Sequence, residues 1–319
     1  MTRVLVTGAT GFVGRTLCAV LARSGHVVRA ALHNDRAIPA HVSETAVVGD
    51  IGSRTDWGAA LEDISVVIHV AARAHLLHDP YPNPDLFIET NACGTQRLAD
   101  QSARAGIRRF VYLSSVKVNG EQTVDRAYSA DDEPQPQDPY GRSKWLAEKS
   151  VWEVASRTAM EAAIVRSPLV YGPGVRANFL RLLRWVDKEW PLPLGSIENA
   201  RSLVGVWNLC DLLAHVVEHP GAPAHTWMVS DGEDLSTPEI IRRIAIVMKR
   251  RVRLVRVPIG MLDLLAGLTG RKAEIARLCG SLAVNIEQTR RALGWSPPMK
   301  VDEAIARTVT WYLSAGARQ

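Results

Sequence analysis

Residues 7–14 read Thr7-Gly8-Ala9-Thr10-Gly11-Phe12-Val13-Gly14, and their reading decides the fold. They follow an apolar run, Val4-Leu5-Val6, and lead into Thr16 to Ala22, where apolar residues recur at helical spacing. A strand, a glycine turn and a helix start are therefore written at the head of the chain. Each glycine has a physical job: one permits the tight turn, one lets backbone approach a pyrophosphate, one lets helix pack close on strand. The helix start offers free N–H groups and the positive end of its dipole to an anion. The spacing is G-x-x-G-x-x-G rather than G-x-G-x-x-G, so the flanking strand and helix carry the argument. Gly8, Thr10, Gly11, Phe12, Val13 and Gly14 are the expected cradle of a dinucleotide.

Working outward, Val27 to Leu32 reads as a second strand. An acidic side chain at its tip would bind the ribose hydroxyls of NAD. The tip here is Leu32-His33-Asn34, with Asp35 slightly late, so a 2′-phosphate meets no repulsion and His33 or Arg36 is available to it. This tilts the cofactor toward NADP, or toward use of either form. Thr45 to Asp50 reads as a third strand, with Asp50 and Ile51 at its end. Asp50 is either an adenine contact or a helix cap ahead of Ser53-Arg54.

A helix over 55–61 precedes Val66 to Ala72, an apolar run suited to a strand buried on both faces. Its last residues, Val70, Ala71 and Ala72, are small enough at their end to admit a ligand. His75, His78 and the proline-rich stretch to Pro84 read as a loop. The next helix runs from Leu86 to Ala105 and carries Asn91, a candidate cofactor contact. Arg109 to Ser115 is a strand ending in two hydroxyls, Ser114 and Ser115. Strand and helix thus alternate as in a doubly wound, Rossmann-like α/β parallel sheet with ligands at the carboxyl ends of its strands.

After the polar loop 121–138, Pro139 opens a helix on which Tyr140 and Lys144, four apart, share a face. A sixth strand, Glu161 to Arg166, runs into Ser167-Pro168-Leu169-Val170-Tyr171-Gly172-Pro173-Gly174, where Pro168 and Val170 are candidate cofactor contacts. Beyond it, tryptophan and arginine become frequent and the alternation lapses. The expected division is a dinucleotide-binding domain over 1–170, strands returning to it from about 203–231, and a smaller substrate lobe over 171–319. Pro238 to Met248, Pro258 to Leu268 and Val301 to Leu313 read as helices.

The chain has 319 residues, 47% of them apolar, enough for a full core and two lobes. Its net charge of +5 is scattered, which suits an anionic small molecule better than nucleic acid. The dense run Lys249 to Arg256 reads as an edge strand guarded by charge. Cys18, Cys93, Cys210 and Cys279 lie far apart with no C-x-x-C, which argues against zinc and a disulfide framework. His215 and His219 stand i, i+4 without an evident third ligand. No signal-peptide pattern and no long apolar span is read, so the expected setting is reducing and cytoplasmic.

Ser115, Tyr140 and Lys144, with the glycine turn, the Asp50 tip, the Pro168 to Gly174 segment and Arg201 ahead of an apolar strand, resemble the extended short-chain dehydrogenase/reductases, narrowly the NAD-dependent epimerase/dehydratase branch. The resemblance covers nearly the whole chain. It implies that Tyr140 exchanges a proton with a sugar hydroxyl, that Ser115 hydrogen-bonds the same oxygen, and that Lys144 holds the nicotinamide ribose and lowers the tyrosine pKa. A tyrosine base near neutral pH must lose about 3 units, roughly 4 kcal/mol; an ammonium ~4 Å away supplies a term of that order.

The resemblance further implies a UDP-sugar substrate between the lobes, with Asn178 and Arg201 at its UDP and Lys117 and Tyr171 bordering the sugar. It also implies a homodimer through helices 86–105 and 140–156. Sugar dehydratases of this branch carry Thr-Asp-Glu where this chain has Ser115-Val116-Lys117, which speaks against dehydration. The block Ser114 to Glu121 is similar to enzymes acting at carbon 4 of UDP-hexoses or UDP-N-acetylhexosamines. Two enzyme readings follow: a 4-epimerase that keeps its NAD, or a 4-ketoreductase that takes NAD(P)H from solution, which the acid-free Leu32 tip favours. A non-catalytic dinucleotide-binding sensor is the third reading, against which the intact Ser-Tyr-Lys set stands.

Overall fold

The computed structural model describes residues 1–35, 38–74, 83–258, 260–262, 267 and 272–314. The chain opens with β1 (Arg3–Thr7), α1 (Phe12–Arg23), β2 (Val27–Leu32), β3 (Glu44–Val47), α2 (Gly58–Leu61) and β4 (Val66–His69). β1 and β4 bury nearly every side chain, as strands covered on both faces must. α1 buries Gly14, Leu17, Cys18 and Leu21, a stripe at three- and four-residue spacing, against the sheet. β3 ends at Val47 rather than Asp50, which leaves Asp50 on a turn beyond the strand.

Next come α3 (Pro84–Phe87), α4 (Gly94–Arg104), β5 (Arg109–Ser115), α5 (Pro139–Ser156) and β6 (Glu161–Ser167). The single helix predicted over 86–105 is interrupted: Ile88–Cys93 forms a π-turn between α3 and α4, with Asn91 inside it. Such one-turn insertions shift the facing of the helix and recur at functional sites. α5 starts where the sequence places it. Asp138 caps it by accepting the Gly141 N–H at 2.6 Å, and Pro139 takes the first turn.

β7 (Leu169–Tyr171), α6 (Ala177–Asp187), β8 (Pro191–Leu192), β9 (Arg201–Gly205), α7 (Val206–Glu218) and β10 (His225–Met228) follow. The central sheet is seven-stranded and parallel, ordered β10-β6-β5-β4-β1-β2-β3. The order reverses at β1, so the glycine turn sits at the switch point where such sheets bind ligands. α1 and α7 cover one face; Trp57, Leu98, Ala99, Val151 and Val154 pack over the other.

Only part of 203–231 returns to this sheet. α7 packs on α1 and β10 pairs with β6, but β9 joins β7 and β11 (Asp234–Leu235) in a separate three-stranded sheet. That sheet supports the second lobe, whose core gathers Phe179, Leu183, Ile241, Ile244, Ile305 and Val309 from α6, α8 (Thr237–Met248) and the last helix. The remaining described helices are α9 (Lys272–Cys279), α10 (Glu287–Leu293) and α11 (Val301–Ser314). The basic run contributes β12 (Arg253–Leu254), paired in parallel with β8. Part of the helix predicted over 258–268 lies outside the described residues.

Candidate active site

A cleft of 1550 Å³ runs from the glycine turn to the start of α5 and on to the second lobe. It exceeds the roughly 300–1,000 Å³ of a drug-sized ligand pocket, leaving room for a dinucleotide and a second molecule. Gly8, Thr10, Gly11, Phe12, Val13 and Gly14 line it, as do Val70, Ala71 and Ala72, then Ser114, Tyr140, Lys144 and Val170.

The turn is closely packed. Gly8 has φ +66, and a Cβ there would lie 2.8 Å from the Ala71 backbone nitrogen; one on Gly14 would fall 2.0 Å from the Gly8 carbonyl oxygen. Gly11 occupies the cap position of α1 and no side chain caps the helix, which leaves its first N–H groups suited to an anion. This cradle fits a dinucleotide pyrophosphate.

A buried polar chain holds the cradle in place. Thr7 Oγ1 accepts the Ala71 N–H at 3.2 Å and bonds His69 Nδ1 at 2.6 Å; His69 Nε2 meets Thr95 Oγ1 at 2.9 Å, and Thr95 donates to the Asn91 carbonyl at 2.5 Å. Burial, with the Lys144 charge nearby, pushes His69 down to about 3, so the imidazole is neutral. Sequence reading passed over His69; a lone histidine inside Val-Val-Ile-His-Val was the available signal. Asn91 is buried too. Its amide clasps the Arg73 backbone through both N–H and C=O, and donates to Ser143 Oγ at 2.9 Å. Asn91 therefore ties the loop after β4 to α5, rather than facing the cleft.

Tyr140 and Ser115 meet: the serine hydroxyl hydrogen-bonds the phenol. Lys144 Nζ donates to the Leu113 carbonyl at 2.6 Å and lies 4.1 Å from the Tyr112 ring centroid. The electrostatics differ from expectation. Burial first, then the Asp138 charge, holds Tyr140 up at about 12, against a smaller opposing effect of Ser115. Burial pulls Lys144 down to about 7 although Glu148 favours its charge. Lys144 was expected to depress Tyr140, but in the protein's own field desolvation of both groups wins. Glu148 is itself held by Arg166 in a buried bidentate pair at 3.0 and 2.6 Å.

Several expected contacts are placed elsewhere. Leu32 is buried in the core and its carbonyl is used by Val48. Ile51 packs against the other core, and Pro168 is buried between β6 and β7. Asp50 neither lines the cleft nor caps Ser53, whose N–H goes to Glu89; its carboxylate stands exposed, 3.3 Å from His33 Nδ1. The tip of β2 is thus faced by an acid after all, supplied by the turn after β3. Arg36 lies outside the described residues.

On the substrate side, Tyr171 is buried in the second-lobe core, donating to Asp231 at 2.6 Å and stacked on Phe179, so it does not border the cleft. Arg201 donates to the Arg277 and Gly280 carbonyls at 2.6 and 2.9 Å, which anchors the C-terminal end of α9. Lys117 gives its ammonium to Glu121 and Asp138. Asn178 is exposed in the first turn of α6, next to the cleft residue Ala177. Arg176 and Arg307 line the cleft and were not singled out from sequence.

His75 and His78 lie outside the described residues. His215 bonds the Leu293 carbonyl and His219 accepts from Gly221. Among the described residues no three His, Cys, Asp or Glu side chains gather for a metal, and no helix is long and apolar enough to cross a membrane.

Comparison with known proteins gives the geometry a family. The UDP-glucose 4-epimerase of Vibrio cholerae is 41% identical over 99% of this chain and 97% of its own length. A 3-beta-hydroxysteroid dehydrogenase of Mycolicibacterium neoaurum is 28% identical, covering 97% of this chain and 91% of that protein. The solved structure of MoeE5 in complex with UDP-glucuronic acid and NAD aligns with a TM-score of 0.80 at 26% identity, over 98% of this chain and 99% of that one. The family model described as NAD dependent epimerase/dehydratase matches residues 4–229, and with the glycine turn, Tyr140 and Lys144 lining one cleft, the chain belongs to that family.

Proposed function

We propose that the protein is a UDP-hexose 4-epimerase using NAD. The observation that carries this reading is the Ser115–Tyr140 hydrogen bond, set with Lys144 beside the glycine cradle in a chain so similar to a UDP-glucose 4-epimerase. Gly8 to Gly14 and the α1 N-terminus would hold the pyrophosphate, Val70 to Ala72 would flank it, and Lys144 would reach the nicotinamide ribose. NAD, when bound, takes up and returns the hydride of sugar carbon 4.

The chain's own residues manage the proton. Tyr140 accepts it from the 4-hydroxyl and gives it back, and Ser115 hydrogen-bonds the same oxygen through both changes of charge. The phenol's high starting pKa means that added positive charge in the cleft must lower it; a protonated Lys144 is one source. Asn178, Arg176 and Arg307 are the candidates for the UDP end, since Arg201 is engaged with the end of α9; Lys117 and Tyr171, expected at the sugar, are engaged elsewhere too. The ketoreductase reading loses support, because a carboxylate, that of Asp50, stands 3.3 Å from His33, the side chain expected to meet a 2′-phosphate.

The test is twofold. Mass spectrometry of the purified protein should find retained NAD, and UDP-glucose should convert to its 4-epimer without added cofactor. Tyr140→Phe should lower turnover by about 10²–10⁴-fold with the fold intact. An empty site that binds NADPH and reduces a 4-keto sugar in one direction would replace this reading.

A further inference from the structure

Lys117, expected beside the sugar, is engaged instead next to Ser115 and the start of α5. Its backbone N–H donates to Ser115 Oγ at 3.3 Å. Its ammonium bonds Glu121 at 2.9 Å and forms an ion pair with Asp138 Oδ2. The other Asp138 oxygen caps α5 through the Gly141 N–H. The contact is tight: a Cβ on Gly141 would lie 2.7 Å from the Lys117 carbonyl oxygen. All three charged side chains are mostly buried, with 16–23% exposure, so water screens them weakly.

We propose that Lys117 is a positioning residue of the Tyr140 site: it locks Ser115 to the cap of α5 and offsets the Asp138 charge beside the phenol. The inference rests on the proposed proton-transfer role of Tyr140. A carboxylate at the helix cap serves the fold but opposes a tyrosinate two residues on, and Asp138 does hold the phenol's pKa up. The Lys117 ammonium answers that charge without entering the cleft. The other groups facing Tyr140 are Ser115 and Tyr112 on β5 and Phe87 on α3; Lys144, one turn along α5, has Glu148 as its charged neighbour, and Glu121 pairs with Lys117 itself. Lys117 joins the serine, through its backbone N–H, to the cap, through its ammonium.

The experiment compares Lys117→Met, Lys117→Arg, Asp138→Asn and the Lys117→Met/Asp138→Asn pair. Asparagine caps a helix as well as aspartate, so Asp138→Asn removes charge and keeps the cap. Each variant is titrated by tyrosinate absorbance against its own Tyr140→Phe counterpart, and its turnover of UDP-glucose is followed against pH. Asp138→Asn should lower the Tyr140 midpoint by about one unit, the direction in which removing a nearby negative charge acts. Lys117→Met should move it beyond the titratable range and lower kcat about tenfold at neutral pH with KM unchanged, one pKa unit being a factor of ten. Lys117→Arg should stay near wild type, and the pair should regain a measurable midpoint.

A midpoint unmoved by Asp138→Asn, or a Lys117→Met loss that Asp138→Asn does not relieve, overturns the proposal. The absorbance titration needs no substrate. A wrong substrate assignment would therefore silence the turnover assay and leave the midpoints in place.

Discussion

Replacing Lys144 by methionine should stabilise the fold in a pH-dependent way while removing activity. The ammonium is buried against the Leu113 carbonyl and the Tyr112 ring, and despite the Glu148 charge burial lowers its pKa from 10.5 to about 7. Between those values the unfolded chain holds the lysine proton and the folded chain does not. Stability therefore rises with pH across that window, by about 1.4 kcal/mol per unit. Below about pH 7 both states are protonated and the folded protein carries the full cost of the buried charge; above 10.5 both are neutral and the cost is gone.

Methionine has the length to fill the site and does not titrate. The stability gap between Lys144→Met and wild type should be widest below pH 7 and should narrow by up to about 5 kcal/mol toward pH 10.5. The variant forfeits the bond to the Leu113 carbonyl, about 1 kcal/mol, at every pH, which shifts the gap without changing its slope. Urea unfolding at pH 6.5, 8 and 9.5, at matched dinucleotide content, measures it, and taking the difference cancels groups common to both proteins. A gap that is flat with pH, or that widens as pH rises, would refute the reasoning. Buried charge of this kind is the usual exchange of stability for activity.

Two further outcomes follow from packing and charge. Gly14→Ala places a methyl 2.0 Å from the Gly8 carbonyl oxygen; it should cost about 3 kcal/mol or more and abolish NAD binding, read by thermal unfolding and calorimetry. Arg166→Met strands the buried Glu148 carboxylate and should cost about 3–5 kcal/mol in urea unfolding, most of it recovered by adding Glu148→Leu.

Local chemistry was legible in the sequence wherever one segment suffices to dictate it. The glycine turn is such a case, because the strand before it, the helix after it and its small residues all lie within about twenty positions. Tyr140 and Lys144 are another, since helical pitch alone puts them on one face behind an Asp-Pro start. Ser115 followed from being the last polar residue of an apolar strand. The parallel sheet followed from alternation, and β1 and β4 are buried on both faces as apolar runs should be.

What the sequence by itself determined, then, was a doubly wound sheet with a dinucleotide cradle and a Ser-Tyr-Lys set at its carboxyl edge. Tertiary structure decided everything that depends on which distant atoms meet. It turned β9 away to the second lobe, engaged Arg201 with carbonyls at the end of α9, sank Tyr171 beneath Asp231, and set Asp50 beside His33. It also reversed the expected electrostatics of the site. A pKa depends on burial and on charges brought from other elements, and neither is encoded in spacing along the chain. Tyr140 and Lys144 could be found by counting residues; that desolvation sets one at about 12 and the other at about 7 could be found only by folding the chain around them.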